Sequence, residues 1–234
     1  MGTRLRSAVQ GTPKGLITIG GETLVGRSVR LLREAGIESM TIVAGYAEEH
    51  YRQFARGARD VRIVVNHDYA TTGSMASLAI ALETVHEDVL VLESDIVYEP
   101  RALTTLLQGT VPDVTLISGP TAAGDEVWVY APDGVLQAMS KDARQLPERH
   151  GEFVGITRLS ASATALMRTA YTAFVAAHGH GRMDYESDAL VTVARDRPVH
   201  AALLADLWWG EIDDERHLAR VTHDVWPHLV GSAR

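Results

Sequence analysis

The chain of 234 residues contains no cysteine, which excludes disulfide frameworks, thiolate zinc sites and cysteine nucleophiles. A reducing cytoplasm is compatible with that lack and is the expected location. No apolar run approaches the roughly 18 residues of a membrane span, and the N-terminus has no secretory h-region. Basic residues number 22 against 30 acidic ones, for a net charge of −8. No basic run interleaves with aromatics, so nucleic-acid and membrane-surface binding are not expected. A phosphorylated small molecule needs only a local basic pocket. Internal repeats, low-complexity linkers and tails are also missing. The ten histidines show no metal-ligand spacing, and His178 with His180 reads as part of a solvated loop.

What is present is an alternation of strand-like and helix-like segments through the first half, the pattern of a sheet with crossover helices. Leu16–Ile19, Ser39–Ala44, Val61–Asn66, Asp88–Ser94 and Asp113–Ser118 read as strands, with helices over Thr23–Ala35, Ala47–Arg59, Ser74–Val85 and Glu99–Gln108. Beyond Gly119 the pattern changes to a hairpin turning at Pro132-Asp133-Gly134. A strand over Val154–Ser160, helices over Ala161–His178 and Tyr185–Ala194, an edge strand over Val199–Leu204 and a terminal helix over Asp214–Thr222 follow. The expected fold class is α/β: a Rossmann-like mixed, mostly parallel sheet flanked by helices, in one domain over residues 1–234.

Chemistry concentrates in two acidic tripeptides. The run Val89-Leu90-Val91-Leu92 ends in Glu93-Ser94-Asp95, and Glu211-Ile212-Asp213 stands near the C-terminus. An aliphatic run ending in acids reads as a buried strand whose carboxyl edge opens into a cleft, where ligands of open α/β sheets collect. Glu93 and Asp95 share one face of such a strand. Carboxylates there suit a hard cation carrying substrate phosphates. Asp95 alone would serve equally as a cap for the helix beginning near Glu99.

Gly2-Thr3-Arg4-Leu5, Pro13-Lys14-Gly15-Leu16 and Gly45-Tyr46 resemble motifs of the nucleotidyltransferase superfamily that activates sugar phosphates, phosphocholine and phosphonates. Asn66-His67-Asp68-Tyr69 with Thr72-Gly73-Ser74-Met75-Ala76-Ser77-Leu78 is similar to the base-recognition segment of its cytidylyltransferase branch. Glu93-Ser94-Asp95 and Trp209-Gly210-Glu211-Ile212-Asp213 resemble the two metal segments, and Ser140-Lys141, Val154-Gly155-Ile156 and Tyr185-Glu186 the acceptor side. Each fragment is weak alone. Their order and spacing carry the resemblance, which implies a GT-A-like nucleotidyltransferase fold with a nucleotide-binding half over about 1–118 and an acceptor half over about 119–234. The family's first strand and first glycine lie ahead of Gly2. The resemblance therefore implies roughly ten further upstream residues, rich in Val, Ile, Leu and Ala and ending in a glycine, that fill an otherwise open sheet centre.

The activity so implied is magnesium-dependent transfer of CMP from CTP to a small phosphonate or phosphocholine-like acceptor. Lys14 and Arg4 would neutralise phosphate charge as catalytic residues, and Asp95 and Asp213 would hold Mg2+. Nucleotide contacts would come from Gly2, Thr3, Lys14, Tyr69, Thr72, Gly73, Ser74, Ser77 and Glu93. Tyr69 reads equally well as a packing residue. The acceptor's phosphoryl group calls for cations, of which Lys141, Arg158 and Arg182 are available. Glu126, Trp128, Tyr130, Glu152, Asp184, Tyr185 and Glu186 could cradle an ammonium group by charge and cation–π attraction. Trp128 and Tyr130 share one strand face and could instead simply pack. A sugar-1-phosphate nucleotidyltransferase and a non-catalytic nucleotide-binding regulator are the alternatives. Expected partners are CTP and a phosphonate or phosphate monoester, with no nucleic acid and no membrane; a homodimer is allowed.

Overall fold

The computed structural model describes residues 11–231. The expectations for Gly2, Thr3 and Arg4 fall outside those residues. Val114–Ser118 is buried at every position, because neighbouring strand residues enter two different cores. Val114 and Leu116 join one with Leu103 and Leu106 of helix Arg101–Gln108. Ile117 joins the other with Met75 of helix Ser74–Leu82 and Met167 of helix Ala161–His178. Alternating side chains with both faces covered make a continuous apolar run, not an alternating one.

The sheet is mixed and centres on Gly151–Leu159. That strand pairs antiparallel with Val114–Ser118 along one edge. Its other edge is shared between Val89–Leu92 and Trp128–Tyr130, also antiparallel. His200–Leu204 adds in parallel to Val114–Ser118, so the central strand runs against the neighbours that share its sheet. Met40–Ala44 and Val61–Val65 form a separate parallel pair. The register of Gly151–Leu159 slips between Phe153 and Thr157, where Gly155 adopts φ +81°. A bulge there re-aims side chains locally.

Several boundaries differ from the pattern reading. The Leu16–Ile19 segment is a turn over Lys14–Leu16 followed by a hairpin, Thr18–Ile19 with Glu22–Thr23. Gly20 and Gly21, both with positive φ, reverse the chain there. The acid-tipped run stops as a strand at Leu92, and Ile96–Tyr98 then pairs with Trp209–Glu211. The terminal helix starts at Glu215 behind the Asp214 cap and continues through a π-turn over Val221–Val225 into Trp226–Gly231. Pro227, which has no N–H to donate, accounts for the loosened turn. Among the described residues no helix is long and apolar enough to cross a membrane.

Candidate active site

Pairing of Ile96–Tyr98 with Trp209–Glu211 brings the two acidic segments together. The Ile212 amide donates to the Asp95 carbonyl at 3.0 Å, so Asp95 and Asp213 flank one point. Lys14 occupies it. Its Nζ lies 3.2 Å from Asp95 Oδ2 and also pairs with Asp213. Burial opposes the Lys14 charge, but the two carboxylates overcome it and hold the ammonium above the usual lysine range. Burial raises Asp95 against the opposing pull of Lys14. It opposes ionisation of Asp213 as well, yet the bond and charge of Lys14 hold that group low. The Pro13-Lys14-Gly15 turn reaches this spot because residue 15 lacks a side chain. A Cβ on Gly15 would stand 2.7 Å from Val25 Cγ2 and 3.0 Å from the Ser94 carbonyl.

Around this ion pair, carboxylates outnumber cations. Oxygens of Glu93, Asp95 and Glu211 lie within 4.8 Å of one another, as do ligand atoms of Asp125, Asp213 and His217. Burial and then the charges of Asp95, Glu211 and Glu186 push Glu93 well above the carboxylate range. Burial, Asp95 and Asp213 push Glu211 up to about 8. Crowded oxygens short of positive charge are a donor set that fits a hard divalent cation. Asp95 belongs to the first of these groups and Asp213 to the second, and either group could hold a divalent cation. His217 is 3% exposed and fixes the segment, with its Nδ1 3.3 Å from the Asp213 amide and its Nε2 3.3 Å from the Ala123 carbonyl.

The Thr72-Gly73-Ser74 turn is stitched to residues 181–186. The Gly73 and Met75 amides donate to the Gly181 and Met183 carbonyls at 2.9 and 3.0 Å. Ser74 Oγ accepts from the Tyr185 amide and donates to Glu186. Those amides are therefore engaged by the chain at residues 181–183, which runs alongside the turn. Buried Asn66 donates to both Thr72 and Ser77 at 3.1 and 3.0 Å. Tyr69 lies against Gly45, where a Cβ would meet its ring, and remains 36% exposed.

A cleft beside the acids is lined by Glu93, Glu126, Lys141, Glu152, Glu186 and Asp213, among others. Tyr185 stands behind it, buried, and donates to Glu93 at 3.4 Å. Trp128 and Tyr130 are not brought into the lining. Their rings meet Arg149 at 4.9 Å and His150 at 5.5 Å. Arg158 lies apart too, donating to the Leu106 and Gly109 carbonyls at 3.2 and 3.1 Å, where it caps helix Arg101–Gln108. Arg182 bonds the Thr71 carbonyl at 3.3 Å. His178 stacks on Phe174 and His180 meets the same ring edge-on at the end of helix Ala161–His178.

The pattern reading passed over Thr121, Asp125 and Arg220, which also line the cleft. Thr121 donates twice to Glu152, from its amide at 2.6 Å and its hydroxyl at 2.9 Å. Burial nevertheless carries Glu152 up to about 7. An acid immediately before the apolar stretch Phe153-Val154-Gly155-Ile156 was the available signal for that pocket floor. Nothing in the loop sequence around Asp125 announces it.

Comparison with known proteins bears on family and fold. The chain matches the MobA-like NTP transferase domain over residues 1–154. It is 30% identical over 230 residues to the CMP-5'-(3-aminopropyl)phosphonate synthase of Streptomyces rubellomurinus, covering 92% of this chain and 36% of that protein. The choline-phosphate cytidylyltransferase of Streptococcus pneumoniae is 32% identical over 83 residues, 36% of each chain. Each match thus spans about a third of the relative's length. The inositol-1-phosphate CTP transferase from T. maritima superposes with a TM-score of 0.79 at 16% identity, over 98% of this chain and 91% of that one, and so shares the fold. The chain belongs to the MobA-like NTP transferase family of enzymes.

Proposed function

We propose that the protein transfers CMP from CTP to a small phosphonate or phosphocholine-like acceptor, releasing pyrophosphate, with magnesium as its metal. The observation that carries this reading is the Lys14 ammonium set between Asp95 and Asp213 at the head of an acid-lined cleft that also holds Lys141. Two relatives support the acceptor class by their names, an aminopropylphosphonate synthase and a choline-phosphate cytidylyltransferase.

In the reaction, an acceptor oxygen forms a bond to the α-phosphorus while the bond to the β-phosphate oxygen breaks and its electrons leave on pyrophosphate. A phosphonate or phosphate monoester loses its second proton near pH ~6, so the attacking oxygen is already anionic at neutral pH and needs no side-chain base. Lys14 supplies positive charge to the α-phosphate, which gains most as charge builds in the transition state. Lys141, in the cleft lining, would hold the acceptor's phosphoryl group, and the surrounding carboxylates would favour an acceptor with a positive end. Magnesium, when bound, would orient the reacting oxygens and raise the electrophilicity of phosphorus.

The deciding assay measures magnesium-dependent pyrophosphate release with each of CTP, UTP, GTP and dTTP against aminoalkylphosphonates, phosphocholine and a sugar 1-phosphate. Release with CTP and a phosphonate or phosphocholine is expected. Preference for a sugar 1-phosphate with another nucleotide would replace this reading with the sugar-activating one. Binding of CTP without turnover on any acceptor would leave a nucleotide-binding regulator.

A further inference from the structure

Arg220 lines the cleft, and the mechanism above gives it no task. It is the last residue of helix Glu215–Arg220, which follows Asp213 behind the Asp214 cap. From there its guanidinium lies against strand Trp209–Glu211, at the one position in that strand without a side chain. A Cβ on Gly210 would stand 2.9 Å from Arg220 Nη1 and 2.9 Å from Val221 Cγ2, so the close pass depends on glycine. Arg220 is half-buried, and among the described residues its guanidinium makes no salt bridge and no hydrogen bond. That is unexpected in a cleft where acids outnumber cations. The other basic side chains weighed for the acceptor are spent elsewhere or differ in kind. Arg158 is taken by the Leu106 and Gly109 carbonyls and Arg182 by the Thr71 carbonyl. Lys141, the second cation in the lining, is exposed and carries a point charge. A guanidinium presents its N–H donors in a rigid planar fork that matches two oxygens of one phosphoryl or phosphonyl group.

We propose that Arg220 is an acceptor-binding residue whose open fork grips two oxygens of the acceptor's phosphonyl or phosphoryl group. The inference rests on the acceptor class read above. Its place follows from the fold. Glu211 ends the strand against which the fork lies, and Asp213 stands two residues on, so an anion held by Arg220 is held beside the acids that face Lys14. The third oxygen of that group is left for attack. Gly210 keeps the fork close to the strand, and the absence of an ion-pair partner keeps its donors available.

Calorimetric titration with methylphosphonate, in the presence of magnesium, reads the anionic end of an acceptor without requiring turnover. Arg220→Gln should weaken methylphosphonate about tenfold or more while changing the CTP dissociation constant less than about twofold. Arg220→Lys keeps the charge and loses the fork, and should remain at least about threefold weaker than the unmodified protein. In turnover, Arg220→Gln should raise the KM of the acceptor about tenfold, with kcat changed less than about threefold. A lysine that serves as well as arginine would reduce Arg220 to a general positive field and overturn the proposal. Equal losses for CTP and methylphosphonate, the mark of a merely structural role, would overturn it too, as would an unmodified protein that does not bind methylphosphonate. If Arg220→Gln does not fold, the comparison of Arg220→Lys with the unmodified protein decides. Should no pyrophosphate be released with any nucleotide and acceptor, the proposed activity fails, and the methylphosphonate titration decides Arg220 by itself.

Discussion

Lys14 holds together the two carboxylates that a metal would need, and that double occupancy has measurable consequences. Asp95→Asn and Asp213→Asn should each lower turnover about a hundredfold or more, with unchanged circular dichroism, since each removes a charge and little packing. Normal activity in either variant would end the shared metal site. Lys14→Ala should depress kcat more than CTP affinity, because its cation is placed to favour the transition state over the ground state. The same variant should bind Mn2+ about tenfold more tightly without nucleotide, as electron paramagnetic resonance would register, because a competing cation has left. Weaker metal binding would mean that Lys14 organises the acids instead of occupying their place. These three residues were legible in the sequence, because a lysine after proline and two acids at strand ends each sit in a local pattern. Asp125 was not. It reaches the cluster through a loop in which Ala122 and Gly124 take positive φ, a path set by backbone conformation and not by composition.

At the level of elements, the Gly155 bulge shapes the site. A Cβ there would fall 2.7 Å from Glu93 Oε2, and the residue's φ of +81° disfavours any side chain. Gly155→Ala should therefore cost on the order of 1–3 kcal/mol in strain alone, read as a drop of several degrees in melting temperature. An unchanged melting temperature would show that neither the positive φ nor the Glu93 contact carries that cost. Periodicity located most of the helices and strands, and the hairpin over Trp128–Tyr130 and Ala138–Ser140 appears where the turn residues put it. It could not tell that Val89–Leu92 meets an antiparallel partner, since an aliphatic strand half-buried on both faces looks alike in either pairing. Nor could it find the engagement of the Gly73 turn by residues 181–183, a contact between segments more than a hundred residues apart.

Across the whole molecule, the gathering of acids on one cleft ties stability to pH. Glu152 moves from an ordinary 4.5 to about 7 on folding, through burial, with Thr121 opposing, Glu126 adding and Arg220 opposing. Between those values the folded chain keeps a proton that the unfolded chain releases. Stability from this group therefore falls as pH rises through that window and stays reduced above it. The full shift is worth on the order of 3 kcal/mol. Glu152→Gln cannot titrate, so its melting temperature relative to the unmodified protein should be higher at pH 8 than at pH 5. A difference independent of pH would remove the buried charge from the account. Glu152 also lies three residues before Gly155 on one continuous strand, Gly151–Leu159, a separation of about 10 Å at ordinary strand rise. Val114–Ser118 pairs with that strand on both sides of the Gly155 bulge, at Glu152 and Phe153 and again at Thr157 and Arg158, which holds the two points at a set spacing. It acts as a ruler laid across the cleft. For the proposed acceptors, aminoalkylphosphonates of different chain length should therefore differ in KM, and equal values across chain lengths would show that this spacing selects nothing.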